Sequence, residues 1–434
     1  MRRLIYIFII GLLLCSYTWA DGSRYASKSL LSEGKWVKIR VDKTGIYKLS
    51  YADLKNMGFS DPSKVSVHGY GGWPLDEDFS KEYIDDVPST PVWRGSDYLL
   101  FYGKGPVKWE YDSSSQTFVH TNNPYSLYGY YFVTDATPTN DMTSVAQASG
   151  ASTRITTYDD YLLHEQELVS VNQSGREFFG EDFSGARPRT ISTFSSIPGI
   201  TDADGKVTMR FISRINSGSG TASLSINDSE LLDITIPSIQ TVSSNVRSYT
   251  KAIPGTTTAL WKGSKSEKNN VVVSYSSSGH TNVRLDYIRM QFVRTLRPYG
   301  ACTFFRSLTS VGNASRFVIS EANSNTLVFD VTDALNVKRV EADLNGSELS
   351  FTIPAGRLRE FVLVQTNQTF PSPEVVGEVA SSNLHGLEQR DMIIISAPSL
   401  VQQAERLAVA HREKDGLTVE VVTPEAIYNE FSSG

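Results

Sequence analysis

The feature that most constrains this chain is a change in hydrophobic periodicity after residue 370. Up to Phe370, apolar residues recur mainly at every second position, which is the pattern of half-buried β-strands. Beyond it, two prolines are followed by an apolar run at 391–396, a helical pattern and a second apolar run. This order is typical of a βαβ unit with parallel strands. The sequence therefore predicts a mainly β chain whose last part opens an α/β domain.

Residues 1–20 have the character of a secretory signal peptide. Two arginines precede the apolar run Leu4 to Cys15, and Thr18 and Ala20 are the small residues that precede a cleavage point. The run is too short to span a bilayer. A small residue normally precedes a lipidated cysteine, whereas Leu14 precedes Cys15. We therefore expect export with ordinary cleavage before Asp21.

Composition excludes several classes of function. The 434 residues are 40% hydrophobic and 20% charged, and their number suggests about three soluble domains. Removal of the signal would change the formal net charge from −6 to −8, because it carries Arg2 and Arg3. No basic stripe is present to neutralise phosphates, so nucleic acid is not an expected partner. Cys302 is the one cysteine outside the signal, so no intrachain disulfide framework is expected.

The first region, 21–157, is predicted to be a β-rich domain. Alternating residues at 37–41 indicate a strand, and Thr44-Gly45 predicts a hairpin with a strand at 46–49. Ser50 and Asp53 have the spacing of a capping box, and Gly58 can end the short helix that follows. The stretch 136–156 is rich in Thr, Ser and Ala without periodicity, which is typical of a linker or long loop.

The second region, 158–370, is predicted to be a β-sandwich of the jelly-roll kind. Strand patterns follow one another, as at 207–211 and 271–275. Val283, Leu285 and Tyr287 share one parity and Ile288 takes the other, which indicates a β-bulge. Asn345-Gly346 predicts a tight hairpin turn.

The last region consists of a predicted linker, 371–390, and the α/β start, 391–434. The run at 391–396 predicts a buried parallel strand. Ser399 and Gln402 have capping-box spacing for a helix that Gly416 can end, and Thr423-Pro424 should begin the next helix. A single βαβ unit does not form a stable sheet alone, so we expect the α/β domain to be cut short at Gly434.

Long segments carry a family resemblance. They are Lys38–Phe59 (KIRVDKTGIYKLSYADLKNMGF), Val65–Leu75 (VSVHGYGGWPL), His164–Phe183 (HEQELVSVNQSGREFFGEDF), Asp330–Glu341 (DVTDALNVKRVE) and Asp391–Gly434, which begins DMIIISAPSLVQQAERL. The chain resembles the PorU-type sortases of the type IX secretion system, relatives of the gingipains, and Asp391–Gly434 resembles the opening of their peptidase domain.

The resemblance implies a cysteine endopeptidase at the surface of a Gram-negative cell. Such enzymes remove C-terminal sorting signals from secreted cargo proteins and attach the cargo to a surface glycolipid. They use a thiolate nucleophile assisted by a histidine, on a caspase-like fold. The resemblance also implies an outer-membrane β-barrel partner of the PorV type. In the family both catalytic residues lie downstream of the first βαβ unit, so no catalytic residue, cofactor or metal is assigned in this chain.

Two pairs of residues imitate a cysteine–histidine site. His385-Gly386 and Ala301-Cys302 have the local sequences of caspase-like active sites, but the cysteine precedes the histidine and falls in the predicted sandwich. We interpret His385 as a loop histidine and Cys302 as a small buried side chain.

Other candidate motifs have simpler interpretations. The histidines do not have metal-ligand spacing (His68, His120, His164, His280, His385 and His411). Asp202-Ala203-Asp204-Gly205 starts like a calcium loop but the closing glutamate is missing, so a turn is favoured. The stretch His68–Pro74 does not have the strand-to-helix context of a phosphate loop, which favours a tight turn with packed aromatic side chains.

Two other functions stay open at this point. The chain can be the front of a secreted gingipain-like protease in which the β-region is a pro-segment, or an adhesive or glycan-binding β-sandwich protein with a vestigial peptidase start. A downstream histidine and cysteine, with or without a sorting domain, would distinguish all three.

Overall fold

A computed structural model describes residues 25–434 except 79, 82, 172–174, 176, 186, 216–217, 240–251 and 278–280. The predicted signal peptide, Cys15 and His280 lie outside the described residues. Two compact units divide the chain. Unit 1 combines the residues up to Val107 with Ser126–Asp141 and Pro371–Gly434, and unit 2 combines Lys108–Tyr125 with Met142–Phe370. The domain limits expected from the sequence stay a prediction.

The elements up to residue 141 are mostly short strands. They are β1 (Val37–Val41), β2 (Gly45–Ser50), α1 (Tyr51–Asn56), β3 (Ser66–His68), β4 (Ser89–Thr90), β5 (Val92–Arg94), β6 (Tyr98–Gly103), β7 (Val107–Asp112), β8 (Thr117–Asn122) and β9 (Gly129–Thr134).

From residue 142 to 370 every regular element longer than one turn is a strand, among the described residues. They are β10 (Ser144–Val145), β11 (Thr153–Ile155), β12 (Thr157–Glu165), β13 (Arg189–Thr190), β14 (Gly205–Ile215), β15 (Ser219–Ile226), β16 (Ser229–Pro237), β17 (Ile253–Trp261), β18 (Val271–Ser277), β19 (Thr281–Thr295), β20 (Cys302–Phe305), β21 (Ser315–Ile319), β22 (Thr326–Asp330), β23 (Lys338–Val340), β24 (Asp343–Asn345), β25 (Glu348–Ile353) and β26 (Phe361–Gln365).

The rest of the chain mixes strands and helices. Its elements are β27 (Glu374–Glu378), β28 (Met392–Ile395), α2 (Val401–Lys414), β29 (Val419–Val422) and α3 (Pro424–Ser432). Single 3₁₀ turns lie at Leu30–Ser32, Pro62–Lys64, Ser192–Phe194, Leu308–Ser310 and Pro398–Leu400. β27 falls within the stretch predicted as a linker.

Unit 1 is built on two sheets that share one core. The sheets have the strand orders β27-β1-β9-β3-β4 and β2-β6-β5. Apolar side chains of both sheets and of α1 form one buried cluster, which includes Ile39, Leu49, Leu54 and Phe101. The predicted hairpin of β1 with β2 is wrong, because β1 pairs with β9 and β27 whereas β2 pairs with β6. Residues 42–44 carry the chain from one sheet to the other, so that β1 and β2 both bury their apolar faces in the same core.

The start and end of α1 follow the local sequence signals. Ser50 Oγ accepts a hydrogen bond from the Asp53 backbone N–H at 3.0 Å, and the Asp53 carboxylate accepts one from the Ser50 N–H at 3.3 Å. Gly58 has a φ of 91°, a left-handed conformation that a residue without Cβ adopts without strain. The predicted capping box and helix stop are confirmed.

Unit 2 contains two sandwiches rather than one continuous layer pair. The sheets β12-β19-β14-β17 and β13-β18-β15-β16 enclose one core, which includes Met209, Leu224 and Met290. The sheets β10-β23-β22-β26-β20 and β11-β21-β25-β24 enclose a second core, which includes Phe317 and Phe361. The mainly β fold class is confirmed. The periodicity of the strands had predicted one sandwich, and it did not indicate that the strands divide between two cores.

The predicted bulge lies in β19. Arg210 of β14 pairs with Tyr287, and its neighbour Phe211 pairs with Leu285, so Asp286 is the extra residue. This displacement buries both Leu285 and Ile288. The Asn345-Gly346 hairpin between β24 and β25 is confirmed as well.

The βαβ unit is present, but two predictions about it are wrong. β28 and β29 pair in parallel, with α2 between them. The strand at 391–396 is not buried: Ile393 is 59% and Ile395 62% exposed. The Ser399 capping box is absent, because Ser399 lies inside the 3₁₀ turn and Leu400 precedes α2 without a side-chain cap.

The predicted end of α2 at Gly416 and the predicted start of α3 at Thr423-Pro424 are confirmed. Gly416 has a φ of 69° just past α2. Thr423 Oγ1 accepts a hydrogen bond from the Ala426 N–H at 3.3 Å at the start of α3. Among the described residues, no helix has both the length and the apolar character needed to cross a membrane.

Candidate functional site

The two residues that imitate a catalytic pair lie in different units. Cys302 begins β20 of unit 2, opposite Val364 of β26, and is half-buried rather than buried as expected. His385 belongs to unit 1. It is not a plain loop histidine, because its imidazole is 0% exposed and both ring nitrogens contact carboxylates.

The imidazole of His385 lies between two acidic side chains. Its Nδ1 is 2.8 Å from Oε2 of Glu430, which belongs to α3, and its Nε2 is 2.8 Å from Oδ1 of Asp85. The ring of Phe431 stacks on the imidazole with 4.3 Å between centroids. We call the set His385, Glu430, Asp85 and the adjacent Asp86 the His385 cluster.

Backbone N–H groups also donate hydrogen bonds to the two carboxylates. The Glu430 carboxylate is 0% exposed and accepts the N–H groups of Leu384 at 2.8 Å and of His385 at 3.1 Å. Asp85 Oδ2 accepts the N–H of Ala26 at 2.6 Å. These bonds stabilise both carboxylates, because burying a carboxylate without hydrogen-bond donors is unfavourable in free energy.

The neighbouring Asp86 extends the cluster towards the start of the described chain. Its carboxylate accepts hydrogen bonds from Ser29 Oγ and from the Leu30 N–H, both at 2.7 Å. The Ser29 N–H donates to Asn383 Oδ1 at 2.9 Å. Residues near 30, 85, 384 and 430 are thus connected by one polar network.

Burial by itself disfavours the imidazolium of His385. The hydrogen bonds to Asp85 and Glu430, together with the negative charges of Asp85 and Asp86, outweigh it and raise the pKa of His385. With both nitrogens occupied, the ring has no lone pair with which to activate a nucleophile. The cluster therefore connects segments of unit 1 rather than supplying a catalytic base.

A second set of contacts attaches the end of the chain to the sheet of unit 1. Lys38 Nζ of β1 donates to Asn429 Oδ1 at 2.8 Å and lies 4.4 Å from the ring centroid of Tyr130. The Tyr70 N–H donates to Ser433 Oγ at 3.1 Å. Burial lowers the pKa of Lys38, which the charge of Glu425 partly opposes.

The glycine-rich stretch His68–Pro74 is packed against neighbouring backbone. Gly69 and Gly71 have φ values of 111° and 81°. A Cβ at Gly71 would lie 2.7 Å from the Lys104 carbonyl oxygen. Such close approach explains the glycines without a bound phosphate.

His68 and His164 join strands to loops. His68 is buried, its Nδ1 lies 3.0 Å from the Val87 carbonyl, and burial lowers its pKa. His164 lies 2.7 Å from Glu181 Oε1 and 2.8 Å from Thr193 Oγ1. A hydroxyl–imidazole–carboxylate order also occurs in hydrolases, but Thr193 lies in an exposed 3₁₀ turn. We interpret this set as a tertiary crosslink.

No group of three or more potential metal-ligating side chains occurs in the part of the chain that the structure describes. Asp202 Oδ1 accepts the Lys265 N–H at 2.8 Å, so the calcium-like sequence has a structural role. A groove of about 450 Å³ beside α1 in unit 1 is lined largely by apolar groups, including Val37, Met57 and Val375.

Comparison with known proteins gives the family. Residues 385–434 match the model of peptidase family C25. The crystal structure of dimeric latent PorU from Porphyromonas gingivalis is similar over 94% of this chain and 39% of that one, with 35% sequence identity and a TM-score of 0.85. The chain belongs to the PorU-type branch of peptidase family C25. It therefore spans about two fifths of the PorU chain that it matches.

Other comparisons add little. A carbohydrate-binding module of a Cellvibrio mixtus lichenase aligns with 33% of this chain and 92% of its own, at 13% identity and a TM-score of 0.16. No curated protein matches the chain significantly. We call residues 385–434 the C25 segment, and both His385 and Glu430 belong to it. The sequence did not reveal their contact, because His385 and Glu430 are 45 residues apart and Asp85 is 300 residues from His385.

Proposed function

We propose that this chain is the non-catalytic front part of a type IX secretion sortase. The whole enzyme would be a cysteine endopeptidase that removes C-terminal sorting signals from cargo and attaches the cargo to the cell surface. The observation that carries the proposal is the similarity to PorU over 94% of the chain at 35% identity. The match of 385–434 to family C25 supports it independently.

In this proposal the β-structure that precedes the C25 segment is a scaffold for the peptidase domain. The contacts of Lys38 with Asn429 and of Asp85 with His385 favour such a role, because they attach both ends of the C25 segment to the β-structure of unit 1. Cys302 and His385 are not assigned catalytic roles. Cys302 lies in a β-sandwich strand, and both nitrogens of His385 are hydrogen-bonded.

A chimera tests the function directly. The corresponding region of Porphyromonas gingivalis PorU would be replaced by this chain and expressed in a strain without PorU. We expect removal of the C-terminal signal from secreted cargo, seen as a mass decrease of the cargo. A chimera that is exported and folded but leaves the cargo unprocessed would contradict the proposal.

A second experiment tests the assignment of no catalytic residue. The purified chain and its Cys302→Ala variant would be incubated with a peptide that spans a cargo cleavage junction. We expect no cleavage by either protein. Thiol-dependent cleavage that disappears in Cys302→Ala would overturn this part of the proposal.

The location and partner are part of the same proposal. We expect export, cleavage before Asp21, and binding at the outer membrane to a β-barrel protein of the PorV type. N-terminal sequencing of the exported protein tests the cleavage, and co-purification with the barrel protein tests the binding. A mature protein that begins at Met1 and stays in the cytoplasm would contradict both.

A further inference from the structure

The His385 cluster joins three parts of unit 1 that are far apart in sequence. Asp85 lies in the connection between β3 and β4, His385 begins the C25 segment, and Glu430 lies in α3. The imidazole is the element common to both ion pairs, at 2.8 Å on each side. Whatever changes the imidazole therefore changes the attachment of the C25 segment at this point.

Between two ionised carboxylates, this geometry requires a proton on both ring nitrogens. A neutral imidazole has one N–H group and one lone pair. If His385 lost its proton, a lone pair would face a carboxylate oxygen at 2.8 Å in a buried place. The contact with either Asp85 or Glu430 would become repulsive, and buried charges that lose a partner are costly.

The surroundings of the ring supply more negative than positive charge. Asp85, Glu430 and Asp86 are the acidic groups that face it, from the β3–β4 connection and from α3. The Tyr83 hydroxyl donates to the carbonyl of Phe431, which stacks on the imidazole. Burial, and after it the nearby Tyr83 and Asp85, raise the pKa of Tyr70. Lys38 bonds to Asn429, the residue before Glu430, and thus stabilises α3 separately.

We propose that His385 is a proton-dependent latch that holds residues 381–386 and α3 against the N-terminal part of unit 1. In the protonated form the latch is closed through both carboxylates. In the neutral form the bond to either Asp85 or Glu430 is lost. If it is the bond to Glu430, the imidazole no longer holds this carboxylate against the backbone N–H groups of Leu384 and His385. The inference concerns this chain alone and does not depend on the sortase proposal.

The direction of the pH effect follows from linkage. Because the folded-state pKa of His385 is raised above the 6.5 of an ordinary histidine, the stabilisation is fully present below pH 6.5. It is lost as the pH rises through the raised pKa. Alkaline conditions should therefore open the latch while the rest of unit 1 stays folded.

Hydrogen exchange of the purified chain measures the opening. Protection factors of amides in 381–386 and α3 would be determined between pH 6 and 9, corrected for the intrinsic pH dependence of exchange. We expect protection to fall over this range as His385 loses its proton. His385→Gln should show low protection at every pH. His411→Gln removes a more exposed histidine bonded to Asp415 and should behave as the wild type.

Two results would overturn the inference. One is unchanged protection of α3 up to pH 9 in the wild type, and the other is a wild-type pH profile in folded His385→Gln. If His385→Gln does not fold, Asp85→Asn and NMR titration of the His385 ring decide. The proposal then requires a midpoint above 6.5 in the wild type and a lower one in Asp85→Asn, and equal midpoints would contradict it.

Discussion

Arg306 and Glu360 form an ion pair inside unit 2 with the guanidinium almost fully buried. Arg306 Nε donates to Glu360 Oε2 at 2.8 Å, and Arg306 as a whole is 1% exposed. The same guanidinium donates to the Asp159 carbonyl at 3.0 Å and lies 4.4 Å from the ring centroid of Tyr161. One side chain thus connects the start of β12, the end of β20 and the segment before β26.

Replacement of this arginine should be expensive for stability. We expect Arg306→Ala to lower the free energy of unfolding by about 3 kcal/mol, because it leaves partly buried acceptors without a donor. Urea denaturation of the chain measures the change. As a control, Arg154→Ala removes a pair with Glu348 whose side chains are 62% and 49% exposed, and it should cost less than about 1 kcal/mol. Equal costs for the two variants would contradict this view of Arg306.

The bulge residue Asp286 should make unit 2 less stable as the pH rises. Burial raises its pKa to about 6 from 3.8, Arg210 opposes this, and Glu165 and Glu177 add to it. The folded state thus binds the proton more tightly than the unfolded state, so stability falls between pH 3.8 and 6. At pH 7 unit 2 is therefore less stable than at acidic pH by about 3 kcal/mol, since each pKa unit corresponds to about 1.4 kcal/mol.

Asp286→Asn removes this pH dependence. We expect the variant to gain stability relative to the wild type between pH 4 and pH 7, as measured by urea denaturation at both pH values. Asp233→Asn, at an exposed position in β16, is the matched control and should show no such gain. A constant difference between Asp286→Asn and the wild type would be the contrary result.

The stacked pair Phe317 and Phe351 dominates one core of unit 2. The rings are nearly parallel, with 5.2 Å between centroids, and both side chains are 0% exposed. Phe351→Ala should cost about 3–5 kcal/mol through lost burial and the cavity that remains, and Phe351→Leu should cost less. Leu344→Ala, at a 42% exposed site in β24, should have little effect. Chemical denaturation would reveal a similar loss in all three variants if this assignment of the core were wrong.

Gly129 allows β9 to pass close to neighbouring backbone. A Cβ at this position would collide with the carbonyl oxygen of Lys104 and lie 2.6 Å from the backbone nitrogen of Gly72. Since backbone yields little, Gly129→Ala should lower stability by roughly 2 kcal/mol. Gly45→Ala is the control, because its Cβ would meet only Tyr47 Cε2 at 3.6 Å. Thermal unfolding at one scan rate compares the two, and equal midpoints would refute the clash.

Several elements were predictable because their signals are local. The capping box of α1 needs only Ser50 and Asp53, and the parallel βαβ unit follows from apolar runs on both sides of a helical pattern. The bulge at Asp286 appears in the sequence as a change of parity within one strand. In each case the physical cause lies within a few neighbouring residues.

Other features depended on segments that are distant in sequence. The pairing of β1 with β27 and the exposure of Ile393 and Ile395 could not be read from local patterns. An apolar run records the need for burial, but not which element will cover it. The candidate site was missed for the same reason, since His385 by itself resembles any loop histidine.

The sequence by itself determined the succession of strands and helices, the change to an α/β unit after residue 370, and the resemblance to a peptidase family. Periodicity, caps and turns encode these because they act over one or two turns of chain. Only the tertiary structure decided which strands pair, how many cores unit 2 contains, and that Asp85 and Glu430 bind His385. Those outcomes depend on competition among distant surfaces for burial and on charges that meet only after the chain has folded.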